Sequence, residues 1–220
     1  VRETKKIKAV LFDFGGVLAE EGFKQGLHAI ATDNGLDPDI VISTAFEINY
    51  DIGFVLGKVR EDAFWRAMRD RFAFRGTERQ WTEQILSRFI LRPWMLDLVS
   101  DLKALGMKVG ILSDQCHWLD ELDQRHSFFK HFDVIFNSYH LHISKNSPEI
   151  FDIVSKKLHL NAANILFVDD YNAHILRARQ KGLQSILYID KASFIQQFTK
   201  IVCNTLDIET CLPSLARDAS

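Results

Sequence analysis

Five short, solidly apolar runs constrain this chain more than anything else in it: AVLF at 9–12, VGIL at 109–112, DVIF at 133–136, ILFV at 165–168 and SILYI at 185–189. Unbroken runs of this length suit strands buried on both faces, which have no solvent side on which to place polar residues. Residues 92–106 open with Pro93 and close on Gly106, and residues 147–160 and 172–182 carry apolar side chains at helical spacing, the last stopped by Gly182. Strands alternating with helices need right-handed crossovers, so the expected core is α/β, a Rossmann-like, doubly wound, mostly parallel sheet.

One stretch breaks the alternation. Residues 21–92 read as helix throughout, with Asn34-Gly35 closing one segment and Asp37-Pro38 capping the next. Phe64, Trp65, Met68, Phe72, Trp81 and Phe89 recur at helical spacing there. Such a stripe suits the core of a small bundle better than a pocket lining. The expected organisation is a core of 1–20 and 93–200, an inserted all-α cap at 21–92, and a tail at 201–220 that is partly frayed or docks on a second subunit of a homodimer.

Open parallel sheets bind ligands beyond the carboxyl ends of their strands. Asp13 follows the first strand, Ser113-Asp114 the second and Asp169-Asp170 the fourth, while Lys145 lies in a loop before Pro148. Each has a bland reading as a helix cap, a turn residue or a solvated cation. Together, strand-end carboxylates at one sheet edge would repel one another unless a hard cation and an ammonium neutralised them.

In this order the residues resemble the haloacid dehalogenase superfamily of phosphohydrolases, in the branch that carries a helical cap after the first strand. FDFGGVL is similar to the first motif, ILSD to the second, Lys145 to the third and VDD to the fourth; SPEIF, Ala178 and Gly182 also fit. The resemblance implies Asp13 as covalent nucleophile, Ser113 as a phosphoryl ligand, and Lys145 as the charge that keeps Asp13 ionised. It also implies amides near Phe14 and Asp114 on the phosphate oxygens, and Mg2+ held by Asp13, the Gly15 carbonyl, and Asp169 or Asp170. The implied activity is a magnesium-dependent phosphatase acting on a small phosphorylated metabolite through an aspartyl phosphate.

Four positions depart from the family's pattern. Gly15 stands where a second Asp usually serves as general acid and base, Asp114 where Asn is common, and Asn146 and His174 where Pro and Asn are usual. Without the acid, release of the aspartyl phosphate is expected to limit turnover; a catalytically weak binding or regulatory module is the alternative, and a 2-haloacid dehalogenase a lesser one. Glu20, Glu21 and His117 are the nearby acid-base candidates, each read as a solvated surface residue. The connectors near 19–22 and 91–93 are expected to act as hinges of a closing cap.

The formal net charge of -2 gives no basic face for nucleic acid. Cys116, Cys203 and Cys211 show no metal or disulfide spacing, and no apolar run is long enough for a membrane span or signal peptide. A cytoplasmic setting is the corresponding expectation.

Overall fold

The computed structural model describes residues 6–203 and 211–216. Strands β1 (Ala9–Phe12), β2 (Lys108–Ser113), β3 (Val134–Asn137), β4 (Ile165–Asp169) and β5 (Gln184–Leu187) form one parallel sheet in the order β3-β2-β1-β4-β5. Each strand falls on, or within a residue or two of, its apolar run. The first strand lies at the centre because the chain steps outward on either side of it. Phe12 is in register with Ile111 and Val168, so Asp13 comes level with the ends of β2 and β4.

Side-chain alternation sorts the helices. Val10, Phe12, Val109, Ile111, Leu166 and Val168 share one hydrophobic cluster with α5 (Pro93–Ala104), α6 (Trp118–His126) and α10 (Lys191–Val202). Ala9, Leu11, Leu112, Ile165 and Phe167 face the opposite cluster with α8 (Glu149–Leu158) and α9 (Asn172–Gln180). With period-two side chains buried on both faces, the sheet is doubly wound. The short α7 (Ser138–Leu141) follows β3.

Between β1 and α5 lie four helices and no strand: α1 (Gly22–Asp33), α2 (Pro38–Asp51), α3 (Glu61–Arg71) and α4 (Glu78–Leu86). Asp37 accepts from the Asp39 and Ile40 amides and Pro38 occupies the first turn, as the sequence suggests; Thr77 and Gln80 form a reciprocal capping box. α1 packs on α2 and α4, and α2 on α3. Phe64, Trp65, Met68 and Trp81 are buried inside this bundle, Phe89 is buried against Phe14 of the core and Phe72 is half-buried, so the aromatic stripe is packing.

The described part of the 201–220 tail packs on the chain itself. Helix α11 (Pro213–Ala216) packs on α5, the Ser214 amide donates to Asp101 at 2.7 Å, and Cys211, Leu212 and Leu215 are buried. Residues 204–210 and 217–220, where fraying was also expected, lie outside the described residues.

Candidate active site

The fold brings Asp13, Ser113, Lys145 and Asp169 into hydrogen-bond contact. Asp13 sits one residue beyond the central strand, its amide still bonded to the Val168 carbonyl at 2.8 Å. Its Oδ1 accepts from the Phe14 amide at 2.7 Å and from the Ser113 hydroxyl at 2.6 Å, while Oδ2 lies 2.6 Å from Lys145 Nζ. Phe14 therefore contributes its amide to the carboxylate, while its ring is buried against Phe128 and Phe89.

Lys145 is fully buried, with Nζ also 2.6 Å from Asp169 Oδ2. Burial disfavours its charge, but the carboxylates of Asp13, Asp169 and Asp114 outweigh that and raise the ammonium above its ordinary range. Burial would also raise Asp169. Lys145 and His174 more than offset it and hold that carboxyl below the usual range. Asp13 goes the other way: burial, joined by the charges of Asp169 and Asp170 and opposed by Lys145, pushes its carboxyl well up.

The two consecutive aspartates have different work. Asp169 is enclosed and spends its oxygens on the Tyr171 amide at 2.7 Å, on Lys145, and on His174 Nδ1 at 3.1 Å. Asp170 faces a cavity of about 420 Å³ lined also by Asp13, Gly15, Glu21, Lys24 and Tyr50. It is raised by burial and by Asp169. Asp13, Asp169 and His174 place ligand atoms within 4.8 Å of one another, a group able to hold a cation.

Gly16 is required next to this pair. Its φ is +78°, and a Cβ there would lie 2.2 Å from Asp170 Oδ2. Gly15 differs: its φ is outside the left-handed region, and an added Cβ would meet Phe89 Cε1 at 3.2 Å and Glu21 Oε1 at 3.6 Å.

Asp114 lines the cavity but is largely engaged. It accepts from the Lys145 amide at 2.9 and 3.1 Å and from the Tyr50 hydroxyl at 3.0 Å, bracing the lysine loop against α2. Asn146 and His174 line the cavity as well. Of the three acid-base candidates, Glu20 pairs with Arg92 and His117 with Glu61 at 3.1 Å. Glu21 alone reaches the cavity, and burial raises its carboxyl against the opposing effect of Lys24. Sequence reasoning set Glu21 aside and did not find Tyr50 or Lys24, because no motif spacing ties them to the strand ends.

Comparison with known proteins identifies the family of the chain. The sequence model of haloacid dehalogenase-like hydrolases matches residues 7–180. The D-ribitol-5-phosphate phosphatase of Bacteroides thetaiotaomicron is 24% identical over 207 residues, 89% of this chain and 98% of that protein. Bifunctional epoxide hydrolase 2 of Rattus norvegicus is 28% identical over 127 residues, 54% of this chain but 22% of the relative, so the chain matches under a quarter of that protein's length. Among solved structures, the HAD family enzyme bt-2542 of Bacteroides thetaiotaomicron, in complex with magnesium and inorganic phosphate, superposes with a TM-score of 0.66 at 22% identity, covering 84% of this chain and 95% of that one. At that identity the likeness is one of fold.

Proposed function

Because this chain belongs to the haloacid dehalogenase-like hydrolases, we propose that it is a magnesium-dependent phosphohydrolase, acting on a small phosphorylated metabolite through an aspartyl phosphate on Asp13. The observation that carries this reading is the Asp13 carboxylate itself, held between Lys145 on one oxygen and the Phe14 amide and Ser113 hydroxyl on the other. A carboxylate oriented at both oxygens and facing a cavity is suited to nucleophilic attack.

The donor set fits a hard dication. Asp13, Asp169 and Asp170 place three carboxylates against the buried ammonium of Lys145, and oxygen ligands with excess negative charge suit Mg2+. Asp13 and Asp170 would hold it from the cavity side, with Asp169 anchoring Lys145 and His174 behind them. When bound, the cation would screen the substrate's phosphate from the attacking carboxylate.

An Asp13 oxygen would form the bond to phosphorus as the bond to the leaving oxygen breaks. Lys145 would balance charge on the equatorial oxygens, and Ser113, turning its hydroxyl from Asp13, would donate to one of them. Water would then displace the Asp13 oxygen from phosphorus, releasing inorganic phosphate. We read 21–92 as the cap that covers the cavity over 1–20 and 93–200, contributing Glu21 and Lys24 at the start of α1 and Phe46 and Tyr50 of α2 to the lining.

Magnesium-dependent phosphate release from 4-nitrophenyl phosphate tests this. The expected result is activity abolished by EDTA and by Asp13→Asn, with rapid acid quench during turnover recovering a phosphoryl group on Asp13 at a small fraction of sites in the natural protein. No release and no trapped phosphoryl group would overturn the reading.

A further inference from the structure

We propose that Glu21 supplies the proton-transfer carboxylate missing at position 15, protonating the leaving oxygen in the first step and deprotonating the attacking water in the second. This rests on the phosphohydrolase reading above and names the residue that completes it.

The two Glu21 oxygens are differently occupied. Oε2 caps α1, accepting the Lys24 amide at 2.7 Å. Oε1 accepts no hydrogen bond among the described residues, and it lies 3.6 Å from where a Cβ on Gly15 would stand. A side chain growing from position 15 would enter the space that Glu21 already reaches from the start of α1. Glycine at 15 brings no carboxylate of its own to this space, Glu21 Oε1 lies within ordinary contact distance of it, and the cap bond on Oε2 holds the other oxygen in place without a side-chain partner.

Other groups are committed elsewhere. The Glu20 carboxylate is bidentate on Arg92 at 3.0 and 3.1 Å, His117 is turned to Glu61 in a separate surface cavity, and the Tyr50 hydroxyl donates to Asp114. Glu21 shares its cavity wall with Asp13, Ser113, Lys145 and Asp170.

The proton balance closes. As an Asp13 oxygen bonds to phosphorus and the ester bond breaks, the leaving oxygen takes the proton from Glu21. As water's oxygen bonds to phosphorus and the Asp13 oxygen departs, Glu21 takes a proton from the water, so acid and nucleophile are both restored.

The natural protein is compared with Glu21→Gln and Glu21→Ser, which keep a cap acceptor without an acid, and Glu21→Asp, which keeps the acid. Substrates are 4-nitrophenyl phosphate and glycerol 2-phosphate, both with magnesium. The natural protein should turn over both without a burst. Gln and Ser variants should melt with the natural protein and release about one nitrophenolate per site in a burst, with steady kcat lowered about 100-fold and glycerol 2-phosphate hydrolysis lowered at least as much. Glu21→Asp should keep part of the rate. Gly15→Asp added to Glu21→Ser, where the shorter side chain vacates the space, should recover most of it, a rescue that a purely capping role would not allow. Natural rates in the folded Gln and Ser variants, or loss of burst and turnover together, would overturn the proposal while leaving the phosphohydrolase reading standing. A natural protein inert toward both esters, with no phosphoryl group on Asp13, would overturn both.

Discussion

Lys145 is the residue on which the site balances. Its ammonium is enclosed and neutralises Asp13 and Asp169 at 2.6 Å each, so removing it leaves two buried carboxylates facing one another. Lys145→Met should abolish turnover and lower unfolding free energy by about 3–5 kcal/mol in EDTA, as expected when one partner of a buried ion pair is removed; urea denaturation reads this, and added magnesium should recover part of it. Gly16→Ala tests a steric point. A methyl group 2.2 Å from Asp170 Oδ2 at positive φ must displace that carboxylate, so magnesium affinity by calorimetry should fall at least about tenfold, the worth of one oriented carboxylate. At this scale the sequence was informative for strand-end residues and silent for others. Asp13, Ser113 and Asp169 follow directly from parallel register. The paired glycines look alike as letters, and only the backbone separates Gly16, which needs positive φ and has no room for a Cβ, from Gly15, which needs no positive φ.

Among the elements, α3 is joined to α6 through one carboxylate. Glu61 accepts from Trp65 Nε1 at 3.0 Å, Trp118 Nε1 at 3.1 Å and His117 Nε2 at 3.1 Å, and also from the Thr82 hydroxyl. Burial would raise this carboxyl, but those bonds outweigh it and hold it down from 4.5 to about 2. A depressed carboxyl stabilises the fold fully above its unfolded pKa and ceases to do so as pH falls through the folded one. Glu61→Gln should therefore cost about 1–3 kcal/mol at neutral pH, the range for a lost charged hydrogen-bond network. The difference from the natural protein should shrink between pH 4.5 and about 2, which melts at stepped pH would show; a constant difference would count against the network. Helices with chemical punctuation, such as α2 after Asp37-Pro38 and α9 before Gly182, were legible in the sequence. Helix α6 was not, since His117 at its start makes no side-chain cap bond and its tie to α3 is tertiary.

For the whole molecule, the question is how far the helical insertion can swing from the sheet. The connectors are paired as well as adjacent: Glu20 N–H donates to the Ile90 carbonyl and Arg92 N–H to that of Leu18, both at 2.9 Å. The Arg92 guanidinium adds bonds to the carbonyls of Gly16 and Val17 and to the Glu20 carboxylate. On the far side Trp118 of α6 is buried among Phe23, Phe54, Phe64 and Trp65 of the insertion, with ring centroids 5.5–6.2 Å away. Ser138 Oγ donates to the Val55 carbonyl at 2.8 Å beside them. A wide swing would expose that aromatic cluster at several kcal/mol, more than a small ligand's closure needs to command. On this packing the expected movement is small and local, whereas hinges near 19–22 and 91–93 would let the cap open and close over the cavity. Limited proteolysis separates the two. Cleavage at 19–22 and 91–93 should be slow in the natural protein and nearly indifferent to magnesium with vanadate. Trp118→Ala, costing about 3–5 kcal/mol of packing, should speed it by about 100-fold and make it sensitive to the ligand, because an open form is then populated. Rapid cutting of the natural protein at those sites, suppressed by magnesium and vanadate, would show that the insertion swings open despite its aromatic contacts.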